Sequence, residues 1–203
     1  MQRTVSEKIG LQSSVVATLL YFGNLLVLGA LQPGYSHMRQ FASELGMADA
    51  ANPRVFGAMS VLTGAVFFVT AFGVYRATKR LTERSALSAV IGIFIALFGV
   101  NLIFAGLFPL PNPLHSAFGV ALFTFMVPWL IAWAFWRFPS ARFMSWTQIF
   151  TAFVIIGTAV LQTGLAGGVD DSNIGMFQRI AAGIFFVWLV ATCLWLGRSS
   201  AGE

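Results

Sequence analysis

With 203 residues, 58% of them hydrophobic, 15% aromatic and only 9% charged, the chain falls far short of the roughly one-quarter charged residues of soluble domains, which excludes water as its main solvent. The net charge of +5 does not indicate nucleic acid, because the twelve Lys and Arg sit in short segments between apolar runs and not along one basic stripe. A single cysteine, Cys193, excludes an intrachain disulfide and reads as a small packing residue.

Met1 to Lys8 is a basic segment ahead of an apolar run, the order found in secretory signals. The run at 15–31 is long for a signal core and no small-x-small cleavage site precedes Tyr35, so it is expected to remain as a first anchor. A bilayer core of about 30 Å takes about 20 helical residues. Runs of that length are expected to span at 15–31, 55–75, 86–108, 117–136, 147–167 and 175–196, and only the last holds a charge, Arg179. The expected fold class is all-α, a single polytopic domain over 1–203 built as a six-helix bundle, with each backbone polar group satisfied inside its own helix.

The connections carry the polar residues. Residues 32–46 read Gln-Pro-Gly-Tyr-Ser-His-Met-Arg-Gln-Phe-Ala-Ser-Glu-Leu-Gly. Ser36 is placed to cap a short amphipathic helix and Gly46 to end it, with His37, Phe41 and Glu44 on one face and Arg39 and Ser43 on another. Phe41 and Leu45 are expected to seat that helix on the bundle mouth. In the third span Ser85, Ala89, Gly92, Ala96, Gly99 and Gly106 follow a 3.5-residue repeat, which predicts the closest helix approach there. Pro109 to Ser116 contains three prolines and reads as a stiff, extended segment that holds His115 in place. Pro128 predicts a kink in the fourth span. Asp170, Asp171, Ser172 and Asn173 lead into the last span, which opens with Gln178 and Arg179 near its end.

Basic residues resist export, so their distribution orients the bundle. Arg3, Lys8, Arg76, Lys79, Arg80, Arg84, Arg137, Arg142 and Arg198 lie on one side, and Arg39, Arg54 and Arg179 on the other. Both termini are therefore expected in the cytoplasm, in a bacterial inner membrane. Trp133, Trp136, Trp146 and Trp195 near the same ends agree with that orientation. It sends both histidines outward. Asn24, Asn101 and Gln162 lie roughly 7 to 11 Å below the outer ends of their spans. Amides at that depth are costly to expose to lipid, so they face inward, either as interhelical bonds or as the floor of an outward pocket.

Pro33-Gly34-Tyr35-Ser36-His37-Met38-Arg39, then Ser43-Glu44-Leu45-Gly46, then Gly106-Leu107-Phe108-Pro109 with His115, and finally Gln178-Arg179, resemble the bacterial membrane family catalogued as domain of unknown function 998. The resemblance covers nearly the whole chain and implies six helices without implying an activity. Where it has an acidic residue after the Phe-Pro pair, this chain has Pro111, Asn112 and Pro113.

Three functional classes remain. One is a binding role, in which a polar outer mouth holds a lipid headgroup, a small amphiphile or a membrane partner. In it Arg39 and Arg179 serve as donors and Glu44 as partner, or the three simply pair with one another to lock the loop down. The second is a membrane-embedded enzyme using His37 and His115 with Glu44 or Asp170 as metal ligands or as acid and base, a zinc set of suitable donor types without close ligand spacing. Haem between the two histidines is a variant of it, and the residues by themselves name no cofactor. The third, a coupled transporter, lacks the ionisable groups near the midplane that such carriers use. Convergence of His37, Glu44, His115 and Arg179 at one outer site is expected, with Glu44 and Arg179 in direct contact.

Overall fold

The computed structural model describes residues 3–162 and 167–199, without the side chain of Gln162. Helix α1 (Val5–Leu31) begins where extended Thr4 accepts a hydrogen bond from the Glu7 N–H at 3.3 Å, satisfying one of the donors that every helix start leaves open. Helix α2 (Pro53–Thr82) opens on a proline, whose missing N–H is no loss in a first turn, and stops at Glu83 in the left-handed region. Helices α3 (Ser85–Leu107), α4 (Val127–Phe135), α5 (Arg142–Gln162) and α6 (Ile174–Arg198) complete the α-helical set. Six helical stretches are long and apolar enough to cross a membrane, and no strand occurs among the described residues. The chain is an all-α polytopic membrane protein. Its first two helices extend well beyond the apolar runs that mark them in the sequence.

Residue pairs across the contacts show that neighbours run antiparallel and close into a ring. Gly10 lies against Gly73 and Asn24 against Phe56 between α1 and α2. Gly57 lies against Gly106 and Gly64 against Gly99 between α2 and α3. Trp129 meets Phe153 and Trp136 meets Trp146 between α4 and α5, while Gln148 of α5 bonds Trp188 and Thr192 of α6. Tyr21 of α1 stacks on Phe186 of α6 and closes the circle. A Cβ on Gly64 would stand 2.5 Å from the Gly99 carbonyl, and one on Gly10 2.5 Å from the Gly73 Cα. Lipid gives helices no hydrophobic reason to associate, so this backbone-to-backbone approach supplies the dispersion that holds them. The small-residue repeat of the third span thus meets its partner in α2, but the α1–α2 crossing is equally tight.

The fourth span departs from the kinked α-helix that Pro128 suggests. Its first half, Pro113–Met126, is a 3-10 helix interrupted by a left-handed turn at Ala117, Phe118 and Gly119. Pro128 falls in the first turn of α4, where it starts a helix and bends none. The preceding connection is likewise turned and not extended: the Asn112 N–H bonds the Pro109 carbonyl at 3.0 Å, and the Asn112 side chain accepts from the Leu114 N–H at 2.9 Å.

The bundle has two unlike ends. At the one carrying both termini, Glu7 and Arg80 form the sole ion pair among the described residues, 2.9 Å apart with side chains 2% and 5% exposed. Arg80 also reaches the Ser199 carbonyl at 3.4 Å, so α1, α2 and the exit of α6 share one knot. Arg137 donates to the Thr82 carbonyl and Arg84 to that of Trp133 at 3.2 Å, using the open carbonyls that helix ends leave. Arginines counted in the sequence for their sidedness therefore also tie helix ends together. The opposite end carries residues 32–52, 108–112 and 167–173 and both histidines.

Candidate functional site

The first connection at the histidine end is ordered but is not a single helix. Ser36 to Gln40 form a turn, closed by Arg39 and Gln40 N–H groups on the Ser36 carbonyl, and a 3-10 helix follows only at Ala42–Gly46. Two side chains stop the helix from starting earlier. The Gln40 carboxamide accepts from the Ser36 N–H at 2.9 Å and donates to Glu44 Oε2 at 2.9 Å. Glu44 Oε1 accepts from the Phe41 N–H at 2.7 Å, which caps the 3-10 helix from within. His37 and Glu44 consequently do not share a helix face. Ala42, Leu45 and Gly46 are buried against the bundle.

Helix α6 anchors this loop. The Met176 N–H bonds the Met38 carbonyl at 2.9 Å, and Gln178 Oε1 accepts from the Ala42 N–H at 2.8 Å. Arg179 Nη1 donates to the carbonyls of Gln40 at 2.6 Å and Gly175 at 2.7 Å, and Nη2 donates to the Tyr35 hydroxyl, which itself donates to the Phe41 carbonyl at 3.0 Å. A Cβ on Gly175 would lie 2.5 Å from the Gln40 carbonyl, so only glycine lets the loop come this close. Arg179 does not contact Glu44 directly; Gln40 stands between them. Burial pushes the Tyr35 hydroxyl above its ordinary pKa, against the opposing pull of Arg179. His37 folds its ring into the gap left by Gly29 and meets Tyr35 edge-on at 5.1 Å. Burial first, and the Arg179 charge second, hold His37 below the usual imidazole pKa.

Beneath the loop all six spans surround a cavity of about 270 Å³. Aromatic rings of Tyr21, Phe98, Phe125 and Phe185 form its apolar part. Tyr21 lies ten residues before the end of α1, about 15 Å along the helix axis. The polar part comes from Ser43, Ser60, Asn101, His115, Thr158 and Gln178. His115 is oriented by its Nδ1, 2.9 Å from the Phe108 carbonyl at the end of α3. A carbonyl can only accept, so Nδ1 is the donor of this bond, the tautomer in which an imidazole presents Nε2 as its acceptor. That Nε2, both polar atoms of Asn101, the hydroxyls of Ser43 and Ser60 and the Gln178 amide nitrogen make no hydrogen bond among the described residues. Among the described residues no Lys, Arg, Asp or Glu lines the cavity.

The sequence candidates thus separate. Asn101 and His115 line the cavity. His37, Glu44 and Arg179 belong to the loop knot above it, and the Arg39 side chain is exposed. Asn24 works as an interhelical bond, donating to the Phe56 carbonyl at 3.4 Å and leaving its own oxygen unpaired. Asp170 builds the turn before α6, and its hydrogen bonds from Ser172 hold its carboxyl below the usual value. The side chain of Gln162 lies outside the described residues. No three of His, Cys, Asp and Glu come together among the described residues, so His37, Glu44 and His115 assemble no zinc set. Gln40, Tyr21 and Ser60 carry no sequence signal of their own, since a lone polar residue in or beside an apolar run looks the same whether or not it meets a cavity.

A family described as "Protein of unknown function (DUF998)" matches residues 15–195. The chain belongs to this family. Its match begins in α1 and ends in α6, so the cavity and the loop knot both lie within the family's extent. No curated protein and no solved structure matches the chain.

Proposed function

We propose that this DUF998 protein lies in the bacterial inner membrane with both termini in the cytoplasm, and that it binds a lipid or small amphiphile at its outward-facing end. One observation carries the reading. The cavity joins aromatic walls to groups of Asn101, His115, Ser43, Ser60 and Gln178 that make no hydrogen bond among the described residues, as a site for a molecule with one apolar and one polar part requires. Its volume of about 270 Å³ falls just below the range of drug-sized ligand sites, about 300 to 1,000 Å³, which suits a small head or part of a chain. The loop knot supports the same role, because Arg179 and Gln178 fix the roof of the cavity without engaging Asn101, Ser60 or His115.

Native mass spectrometry of the protein released from gentle detergent tests the reading. A retained species of lipid mass that is lost when Ala182→Phe fills the cavity is the expected result. Retention unchanged by that substitution would refute it. Reporter fusions test the orientation: one after Arg198 should be active only in the cytoplasm and one near Ala50 only outside.

A further inference from the structure

The chemistry of the cavity wall narrows the ligand, on the footing of the binding role proposed above. We propose that the site takes a single-chain amphiphile with an uncharged head bearing hydroxyl and carbonyl groups, the class to which monoacylglycerols belong, and that Asn101 and His115 recognise the head.

Charge is the first filter. A phosphate or carboxylate taken from water into this space would need a cation or several N–H donors to offset its desolvation. No described residue of the wall supplies a cation. Arg179 is not among the lining residues; it spends Nη1 on two backbone carbonyls and Nη2 on the Tyr35 hydroxyl, and only its buried Nε is without a partner, so an anion could engage its two-nitrogen fork only by dismantling the roof. A phosphocholine head brings the same phosphate, and its ammonium would find aromatic rings but no carboxylate, since Glu44 is turned away onto Gln40 and the Phe41 N–H.

Hydrogen-bond parity is the second filter. Gln178 Oε1 is committed to the Ala42 N–H, which leaves its amide nitrogen as a donor only. His115 donates through Nδ1, and in that imidazole tautomer Nε2 is the acceptor. Asn101 offers both, and Ser43 and Ser60 can do either. A head that both donates and accepts satisfies this set, and an ester carbonyl next to a free hydroxyl does so while remaining neutral.

Volume is the third. About 270 Å³ corresponds to about nine waters at roughly 30 Å³ each. That admits a small head with the first part of one chain against Tyr21, Phe98 and Phe185, the remainder of the ligand lying outside the cavity.

The test uses the full chain in phospholipid nanodiscs with three radiolabelled probes that share one oleoyl chain: mono-oleoylglycerol, oleate and oleoyl-lysophosphatidylcholine. Mono-oleoylglycerol is expected to bind saturably at one per protein, with the two charged probes at least about tenfold weaker. Asn101→Leu removes no hydrogen bond made among the described residues, so it should leave the apparent Tm unchanged while weakening mono-oleoylglycerol binding about fivefold to tenfold, the worth of one buried neutral hydrogen bond. Equal or stronger binding of the charged probes, abolished by Ala182→Phe, would overturn the ligand class and leave the binding role standing. No saturable binding of any probe would overturn both. Mono-oleoylglycerol binding unaffected by Asn101→Leu and by Ala182→Phe would place the ligand elsewhere and overturn the assignment.

Discussion

Replacing Arg179 with methionine is expected to loosen the roof of the cavity while leaving the six spans in place. Methionine keeps much of the apolar stem, so the loss is confined to the guanidinium. That group donates to the Gln40 and Gly175 carbonyls and to the Tyr35 hydroxyl. Hydrogen bonds to charged groups contribute about 1.5–3 kcal/mol each. Arg179 is half-buried, and water can reach part of what it leaves, so a total loss of about 2–3 kcal/mol is expected, below the simple sum. At about 2–4 °C per kcal/mol for a chain of this size, the apparent Tm should fall by about 5–10 °C. The fall should be local in origin. Hydrogen exchange should quicken at the amides of Gln40, Ala42 and Glu44, and should not change in α3 or at the Glu7–Arg80 knot. Arg179→Lys should recover only part of the loss, because an ammonium is a point charge and cannot hold the same spread of acceptors. An unchanged Tm with unchanged exchange at 40–44, or full recovery by lysine, would refute the view that this arginine is the structural clasp of the loop.

At the opposite end, Glu7→Gln or Arg80→Met should each cost about 3–5 kcal/mol by stranding a buried charge or its partner, and the double change Glu7→Met with Arg80→Met should recover much of that in a thermal-shift cycle. Gly64→Ala forces a methyl toward the Gly99 carbonyl and should cost about 1–3 kcal/mol, read as a lower apparent Tm; Gly23→Ala, where a Cβ meets nothing, is the control expected to show no loss. His37 has a folded pKa below its ordinary 6.5, so the unfolded chain takes up this proton more readily than the folded one. Its contribution to stability is complete above about pH 6.5 and is lost as pH falls through the lowered folded value. Thermal shifts between pH 7.5 and 5.5 should therefore show a decline that His37→Gln reduces. Cys193 is buried among the helices and should react with a maleimide only after denaturation.

The number of spans and the all-helical class were legible in the sequence because hydropathy over about 20 residues is a local property: a run such as 86–108 must span whatever its neighbours are. The sidedness of the basic residues is equally local. Small residues at Gly99 and Gly106 announced a close helix contact for the same reason, though not that Gly64 and Gly57 would supply it.

Tertiary structure decided everything that depends on which distant groups meet. Arg179 finds Gln40 from 139 residues away, and Gln178 finds Ala42 from 136, so neither bond has a sequence period to betray it. The pairing expected between Glu44 and Arg179 gave way because Gln40 and the Phe41 N–H, both within one turn, reach the carboxylate first. Pro128 was readable as a proline in a span, but its place in the first turn of α4 follows from the 3-10 helix before it. Asn24 and Asn101 looked alike in the sequence, two amides at similar depth. One meets the Phe56 carbonyl and the other a cavity, because a cavity is what six side-chain surfaces leave unfilled between them, and no single run of residues contains that information.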